Sequence, residues 1–121
     1  MTTDRFYHVV SLNGTAGHAV AGIRFYAGHA IFKGHFPGQP VVPGVCMIQM
    51  VKDLLEQAVL QKLLFTEGHQ IKFLQPVIPD DTVLLSLTMD WEVVDERYSI
   101  RATLEKDQKA VFKLQGIFAA R

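Results

Sequence analysis

The 121-residue sequence predicts an α+β domain in which an antiparallel sheet of about six strands wraps around one long helix. Three observations lead to this prediction. Apolar residues take up a sustained helical spacing from Val45 onward. Shorter segments on both sides carry the aromatic and β-branched residues typical of strands, separated by turn signals. No linker, repeat or low-complexity segment divides the chain, so we expect one domain over residues 1–121.

Two strands are expected before the helix. Phe6–Leu12 mixes aromatic and β-branched residues and is typical of a strand. Asn13-Gly14 is a turn signal after it. Ala19–Tyr26 then alternates larger apolar residues with smaller or charged ones, although Gly22 weakens the pattern. These features predict a second strand.

The helix follows residues 37–44, whose prolines and glycines exclude any regular element. Pro43-Gly44 suits a helix start, because the first amides of a helix are unpaired and proline has no amide to leave unpaired. The apolar spacing continues to Val59 or Leu63, and neither proline nor glycine interrupts it before Gly68. We therefore expect a helix of about 20 residues, roughly 30 Å long, whose wide apolar arc indicates that it is mostly enclosed.

Four more strands are expected after the helix. Turn signals rich in proline, aspartate, glutamate and lysine separate them. Their predicted ranges are His69–Gln75, Thr82–Asp90, Arg97–Leu104 and Ala110–Ala119. Because short turns join antiparallel neighbours, the simplest arrangement is a curved antiparallel sheet wrapped around the helix.

Charge and composition exclude several classes of function. Twelve basic and twelve acidic residues balance, so there is no basic excess of the kind that nucleic-acid binding usually requires. The longest uncharged stretch, Gly34–Val51, contains prolines and glycines and is not a membrane helix. The lone Cys46 excludes a disulfide within the chain and a cysteine-based zinc site, and we expect it to be a small buried apolar residue. The start of the sequence has no signal-peptide pattern, so a cytoplasmic protein is expected, without nucleic-acid or membrane partners.

Two motifs carry a family resemblance. Residues 31–51, IFKGHFPGQPVVPGVCMIQMV, resemble the signature of the 3-hydroxyacyl-acyl carrier protein dehydratases, which is Gly-His-Phe-Pro-Gly-x-Pro, a hydrophobic pair, Pro-Gly and a helix. Residues 71–81, IKFLQPVIPDD, are similar to a strand and turn of the same family. The resemblance implies the hot-dog fold. It also implies dehydration of 3-hydroxyacyl thioesters to trans-2-enoyl thioesters, in fatty-acid or related lipid or polyketide biosynthesis, with no cofactor and no metal.

The chemistry of this reaction suits the motif. Removing water requires a base for the C2 proton and an acid for the departing hydroxyl, and His35 can serve in either role because histidine titrates near neutrality. Backbone amides at a helix start can polarise the thioester carbonyl, and Gly44 and Val45 occupy that position. We expect these two residues and Phe36 to bind substrate. Phe36, Phe73 and Trp91 could line an acyl tunnel, although aromatic residues more often belong to the core.

The helix departs from the family pattern. The family places glutamate or aspartate where this chain has Gln49, and an amide cannot exchange a proton near neutral pH. Asp53 follows one turn later on the same face, so the amide and the carboxylate of the family look exchanged. Asp53 is then the candidate carboxylate, or Gln49 orients a water while His35 moves the protons. Alternatively, Asp53 is a solvated residue beside Lys52. Glu56 is expected to face solvent.

The resemblance also implies partners. The substrate would be carried by acyl carrier protein or coenzyme A. The family forms homodimers with active sites at the interface, and some relatives assemble three such dimers, so His35 would face Gln49 and Asp53 across a two-fold axis. Two alternatives to a dehydratase stay open. One is a thioesterase of the same fold, and the other is a non-catalytic acyl-binding or partner subunit, which Gln49 favours.

Overall fold

The computed structural model describes residues 5–32 and 40–121, so the predicted site residues His35 and Phe36 lie outside the described part of the chain. One helix and six strands make up its regular structure, with a short 3-10 turn at Ala30–Phe32. The elements are β1 (Tyr7–Thr15), β2 (His18–Phe25), α1 (Gly44–Val59), β3 (Leu63–Phe73), β4 (Leu85–Val94), β5 (Arg97–Lys106) and β6 (Lys109–Ala120). The strands form one antiparallel sheet in the order β1-β2-β4-β5-β6-β3. The predicted fold class, an antiparallel sheet around one long helix, is confirmed.

The core lies between α1 and the sheet. Six helix residues at helical spacing are buried, namely Cys46, Met47, Met50, Val51, Leu54 and Leu55. Burying a leucine or methionine side chain of this kind contributes about 1.5–3 kcal/mol. Cys46 is 3% exposed and burial raises the pKa of its thiol, so the prediction of a small buried apolar residue is confirmed. Across the described residues, none of the helical structure is both long and apolar enough to cross a membrane.

The helix is shorter than predicted. It has 16 residues and ends at Val59, because Leu60 adopts a left-handed conformation with φ 56° and ψ 46°. For a residue other than glycine, this left-handed conformation is unfavourable by about 1–2 kcal/mol. Leu63 does not extend the helix but begins β3, and its amide donates to the Glu56 carboxylate over 2.7 Å. The prediction that Glu56 faces solvent is wrong, since its side chain is 13% exposed and also pairs with Lys52 at 3.3 Å.

The largest difference from a predicted strand boundary is at the start of β3, a strand that is interrupted by bulges. β3 begins well before the predicted start at His69, and its register shifts between Phe65 and Glu67 and again between Gly68 and Gln70. Each extra residue at a bulge reverses the alternation of the side chains, so no regular pattern of period two is visible in this segment. β1 likewise continues through the predicted Asn13-Gly14 turn. The chain reverses at residues 16–17 instead, where Gly17 has a φ of +80°.

The bulges of β3 require a glycine on the neighbouring strand. A Cβ added to Gly116 of β6 would overlap the carbonyl oxygen of Glu67 and crowd the ring of Phe65. Because the first of these atoms belongs to the backbone, it cannot move aside cheaply. We predict that Gly116→Ala lowers the free energy of unfolding by about 1–3 kcal/mol, measured by urea denaturation.

A matched control is Gly28→Ala, since a Cβ there meets no atom within 4 Å. This variant should unfold close to the wild-type urea midpoint. Equal midpoints for Gly116→Ala and the wild type would contradict the role assigned to Gly116.

Candidate active site

One face of α1 is open rather than packed in the core. Its exposed residues Val45, Gln49 and Gln57 recur at multiples of four residues, and the half-buried Asp53 lies in line with them. The remaining helix residues are buried or half-buried, as predicted for a mostly enclosed helix. The helix therefore presents both of the residues that depart from the family pattern, Gln49 and Asp53, on its accessible face.

A cavity of about 910 Å³ lies beside this face, and we call it the groove. Its walls include Phe6 and Tyr7 at the start of β1, His29 before the 3-10 turn, and Gln49, Asp53 and Glu56 of α1. The side chains of Gln49 and Asp53 therefore share one cavity of a size that accepts a small organic ligand. Gly44 and Val45 do not line the groove.

The carboxylate of Asp53 is held by two donors from different elements. Gln49 Nε2 donates to Asp53 Oδ1 over 2.8 Å, and the Tyr7 hydroxyl donates to Asp53 Oδ2 over 3.0 Å. Since an ionised carboxylate can only accept, the nitrogen of the Gln49 amide must be the atom that faces it. Each carboxylate oxygen can accept more than one hydrogen bond, so both retain capacity for a ligand group.

Tyr7 is a residue that sequence reasoning missed. Its side chain is 1% exposed, and burial, followed by the negative charge of Asp53, raises the pKa of the phenol well above its ordinary value. The hydroxyl therefore stays protonated and available as a donor near neutral pH. In the sequence, Tyr7 is one apolar residue in a strand, and it lies 46 residues from Asp53. The available signal was that a buried tyrosine usually requires a partner for its hydroxyl.

The charged residues near Asp53 pair elsewhere. Lys52 contacts Glu56 over 3.3 Å, and the guanidinium of Arg5 lies 5.6 Å from the centre of the Tyr7 ring. Asp53 is half-buried and receives the hydrogen bonds of Tyr7 and Gln49. These contacts do not fit the alternative interpretation, in which Asp53 is a solvated residue beside Lys52.

The start of α1 has backbone amides that are available to bind a carbonyl oxygen. Pro43 precedes the helix in an extended conformation, and its carbonyl accepts the amides of Cys46 and Met47 over 3.0 and 3.3 Å. The amides of Gly44 and Val45 bond to no described residue. Val45 is 75% exposed, so this end of the helix is accessible.

The space beside Gly44 is filled by protein. A Cβ at Gly44 would overlap the ring of Phe73, which packs against Phe112 with ring centres 5.3 Å apart. A larger residue at position 44 would require the Phe73 ring, which is 56% exposed, to move. Of the other aromatic residues considered for an acyl tunnel beside Phe36, Phe73 is 56% exposed, and Trp91 is half-buried and lines a second cavity of about 620 Å³ near the end of α1.

Two of the other histidines pair with carboxylates on the sheet. His18 pairs with Asp90 at 2.6 Å and His69 with Glu67 at 3.1 Å, and both pairs are exposed on the sheet. The pairing of His18 with Asp90 was not predictable from the sequence, because the two residues are 72 positions apart. Within the ranges 5–32 and 40–121, no three histidine, cysteine, aspartate or glutamate side chains are grouped as metal ligands would be.

The chain is similar to proteins of known families. The model of the family described as ApeI-like, ApeI dehydratase, matches residues 12–115. The 3-hydroxyacyl-[acyl-carrier-protein] dehydratase FabZ of Thermus thermophilus is 30% identical over 115 residues, covering 81% of this chain and 77% of that protein. The bifunctional enzyme LpxC/FabZ of Porphyromonas gingivalis is 30% identical over 83 residues, or 61% of this chain, and the chain spans 18% of that much longer enzyme.

Solved structures show the same fold. The dehydratase heterocomplex ApeI:P from Xenorhabdus doucetiae contains a chain that superposes with a TM-score of 0.76 at 22% identity, covering 93% of this chain and 96% of that chain. The PaaI protein of Escherichia coli superposes with a TM-score of 0.67 at 15% identity, covering 95% and 79%. At these identities the likeness shows the hot-dog fold alone. The resemblance read from the two sequence motifs is confirmed by the match to the family model, and the chain belongs to the ApeI-like dehydratases, a hot-dog family related to FabZ.

Proposed function

We propose that the protein removes water from 3-hydroxyacyl thioesters to give trans-2-enoyl thioesters, with His35 and Asp53 as its proton-transfer groups. Membership of a dehydratase family supports a dehydratase role in general terms. The observation that carries the specific proposal is the Asp53 carboxylate, which faces the groove and is held there by Tyr7 and Gln49.

The reaction needs two proton transfers. A base takes the C2 proton, the C2–H electron pair forms the C2–C3 double bond, and the C3–O bond breaks. An acid then protonates the departing hydroxyl, which leaves as water. His35 and the Asp53 carboxyl can divide these roles, because an imidazole and a carboxyl group can each take up and release a proton. The amides of Gly44 and Val45 bond to no described residue and would polarise the thioester carbonyl, which acidifies the C2 proton. Because they do not line the groove of their own chain, they would act on a substrate held against Asp53 of a partner chain.

The contact between Gln49 and Asp53 supports Asp53 as the carboxylate. Their side-chain ends lie 2.8 Å apart, so exchanging the amide and the carboxylate between the two positions moves the charge by only about one hydrogen-bond length. Gln49 would then hold the carboxylate rather than transfer a proton. Because Lys52 pairs with Glu56, it does not neutralise Asp53 in a direct ion pair.

We propose acyl carrier protein as the carrier of the substrate and a dimer as the functional unit. The names of the FabZ relatives specify an acyl carrier protein thioester. The basic residues Arg5, Lys62 and Arg121 lie around the groove and suit the phosphate of a phosphopantetheine arm. β3 is an edge strand whose Leu64 and Phe73 side chains are 50% and 56% exposed, and pairing of two chains along this edge would cover them.

A second candidate is a subunit of a mixed complex. Gln49 occupies the position of the family carboxylate, and the ApeI relative was solved as a heterocomplex of dehydratases. In that case this chain would bind the acyl chain or complete the site of a different subunit rather than act alone.

One assay separates these functions. The pure protein is incubated with 3-hydroxybutyryl thioesters of acyl carrier protein and of coenzyme A, and enoyl absorbance and free thiol are followed together. We expect enoyl thioester to form without release of thiol, and faster on the carrier protein. Thiol release without enoyl formation would indicate a thioesterase. Absence of both reactions with either thioester would contradict the proposal and favour the mixed complex.

A further inference from the structure

We infer that Tyr7 is a positioning residue that fixes the orientation of the Asp53 carboxylate for proton transfer. The inference rests on the proposed function of Asp53 and extends it to a residue of β1 that also lines the groove. Tyr7 is the first residue of β1, and its hydroxyl reaches across to α1.

The two hydrogen bonds on Asp53 have different consequences. Gln49 lies on the same helix one turn earlier, so its bond to Oδ1 moves with the helix. The carboxylate can still turn about its terminal torsion, which is broad for a bond of this type. The bond from Tyr7 to Oδ2 comes from the sheet, so it links the carboxylate to a second element and restricts its torsion. The two oxygens of Asp53 can each accept a further hydrogen bond, and their orientation in the groove is then constant.

Tyr7 is itself rigid. Its ring is buried and meets the ring of Phe6 edge-on with centres 5.0 Å apart, and the Arg5 guanidinium covers it at 5.6 Å. The phenol bonds to Asp53 and has a single proton to donate. Because burial raises the pKa of the phenol, it does not release that proton near neutral pH, which suits it to hold Asp53 and not to act as an acid or base.

The test is Tyr7→Phe, which removes the hydroxyl and keeps the ring. We expect kcat for dehydration to fall on the order of 10- to 100-fold, because a small displacement of a reacting group has effects of this size. The values of kcat and kcat/KM should fall together and KM should stay constant, as expected for an interaction used in the transition state. Unchanged kcat in a folded Tyr7→Phe variant would overturn the inference.

Tyr98→Phe is a matched control. Tyr98 is 8% exposed and its hydroxyl donates to Gln61 Oε1 over 2.9 Å, so this variant loses a similar bond that does not involve Asp53. It should keep the wild-type kcat. An equal loss of kcat in both variants would reveal a general effect of removing a buried hydroxyl and would overturn the positioning role.

Asp53→Glu provides a second route that leaves the ring of Tyr7 in place, in case Tyr7→Phe does not fold. It retains a carboxylate but moves it by one methylene group away from the geometry set by Tyr7. We expect kcat to fall by at least about 10-fold, and a wild-type kcat would overturn the inference. An inactive wild-type protein would overturn the proposed function together with this inference, whereas an active wild type with an unaffected Tyr7→Phe would overturn the inference alone.

Discussion

Asp53→Asn is expected to slow the dehydration of 3-hydroxybutyryl thioesters by about 10²- to 10⁴-fold, the usual contribution of a general acid or base. The substitution replaces one oxygen by an amide nitrogen and preserves the volume of the side chain. The oxygen of the new amide can still accept from Tyr7, and rotation of the Gln49 amide can restore the second bond. The fold should therefore persist while proton transfer is lost. The measurement is kcat, with a thermal unfolding curve to verify folding.

Asp90→Asn is the matched control for this prediction. Asp90 of β4 has a 48% exposed side chain that pairs with His18 of β2, and it does not line the groove. Its replacement should leave kcat close to the wild-type value. If Asp53→Asn keeps its activity while His35→Ala loses it, Asp53 is not the catalytic carboxylate and His35 works without it.

His35→Ala is expected to reduce dehydration by a similar factor, on the order of 10²- to 10⁴-fold. This prediction rests on the motif, in which His35 is flanked by Gly34 and by the restricted sequence Phe-Pro-Gly. The expected result is a folded protein that yields little enoyl thioester, with no compensating release of thiol.

His8→Ala controls for the loss of an imidazole in general. His8 lies on β1 and is exposed, and it should be dispensable for catalysis. A His35→Ala variant that retains wild-type turnover would contradict the assignment of the motif as catalytic.

The parts of the fold that the sequence predicted are those governed by regular periodicity. The buried apolar residues of α1 recur at helical spacing, so the helix and its start at Pro43-Gly44 could be predicted. β5 and β6 follow alternating or near-continuous apolar patterns between clear turns, and their observed bounds lie within a few residues of the predicted ones. In each case the spacing of the apolar residues determines which face of the helix or strand is buried in the core between α1 and the sheet.

The parts that could not be predicted depend on contacts between distant residues. α1 ends without a glycine because Leu60 takes a left-handed conformation while the Glu56 carboxylate binds the amide of Leu63. β3 is interrupted by bulges that Gly116, on another strand, makes room for. Neither the helix end at Leu60 nor the bulges of β3 produce a periodic pattern in the sequence.

The candidate site divides in the same way. The contact between Gln49 and Asp53 was predictable, because residues four apart on a helix are neighbours. Tyr7 was not, since it meets Asp53 only after β1 is folded beside α1. The interpretation of Asp53 as the exchanged carboxylate stays a prediction that kinetics must test.

The most direct test of that claim is to exchange the two groups back. Gln49→Glu in the Asp53→Asn background returns the carboxylate to the position of the family pattern, and both substitutions preserve side-chain shape. Since the two side-chain ends lie 2.8 Å apart, the introduced asparagine can donate to the introduced glutamate as Gln49 now donates to Asp53. We expect the double variant to recover dehydration to within about ten-fold of wild type, while Asp53→Asn alone stays far slower. A double variant as slow as Asp53→Asn alone would contradict the exchange of carboxylate and amide on which the account depends.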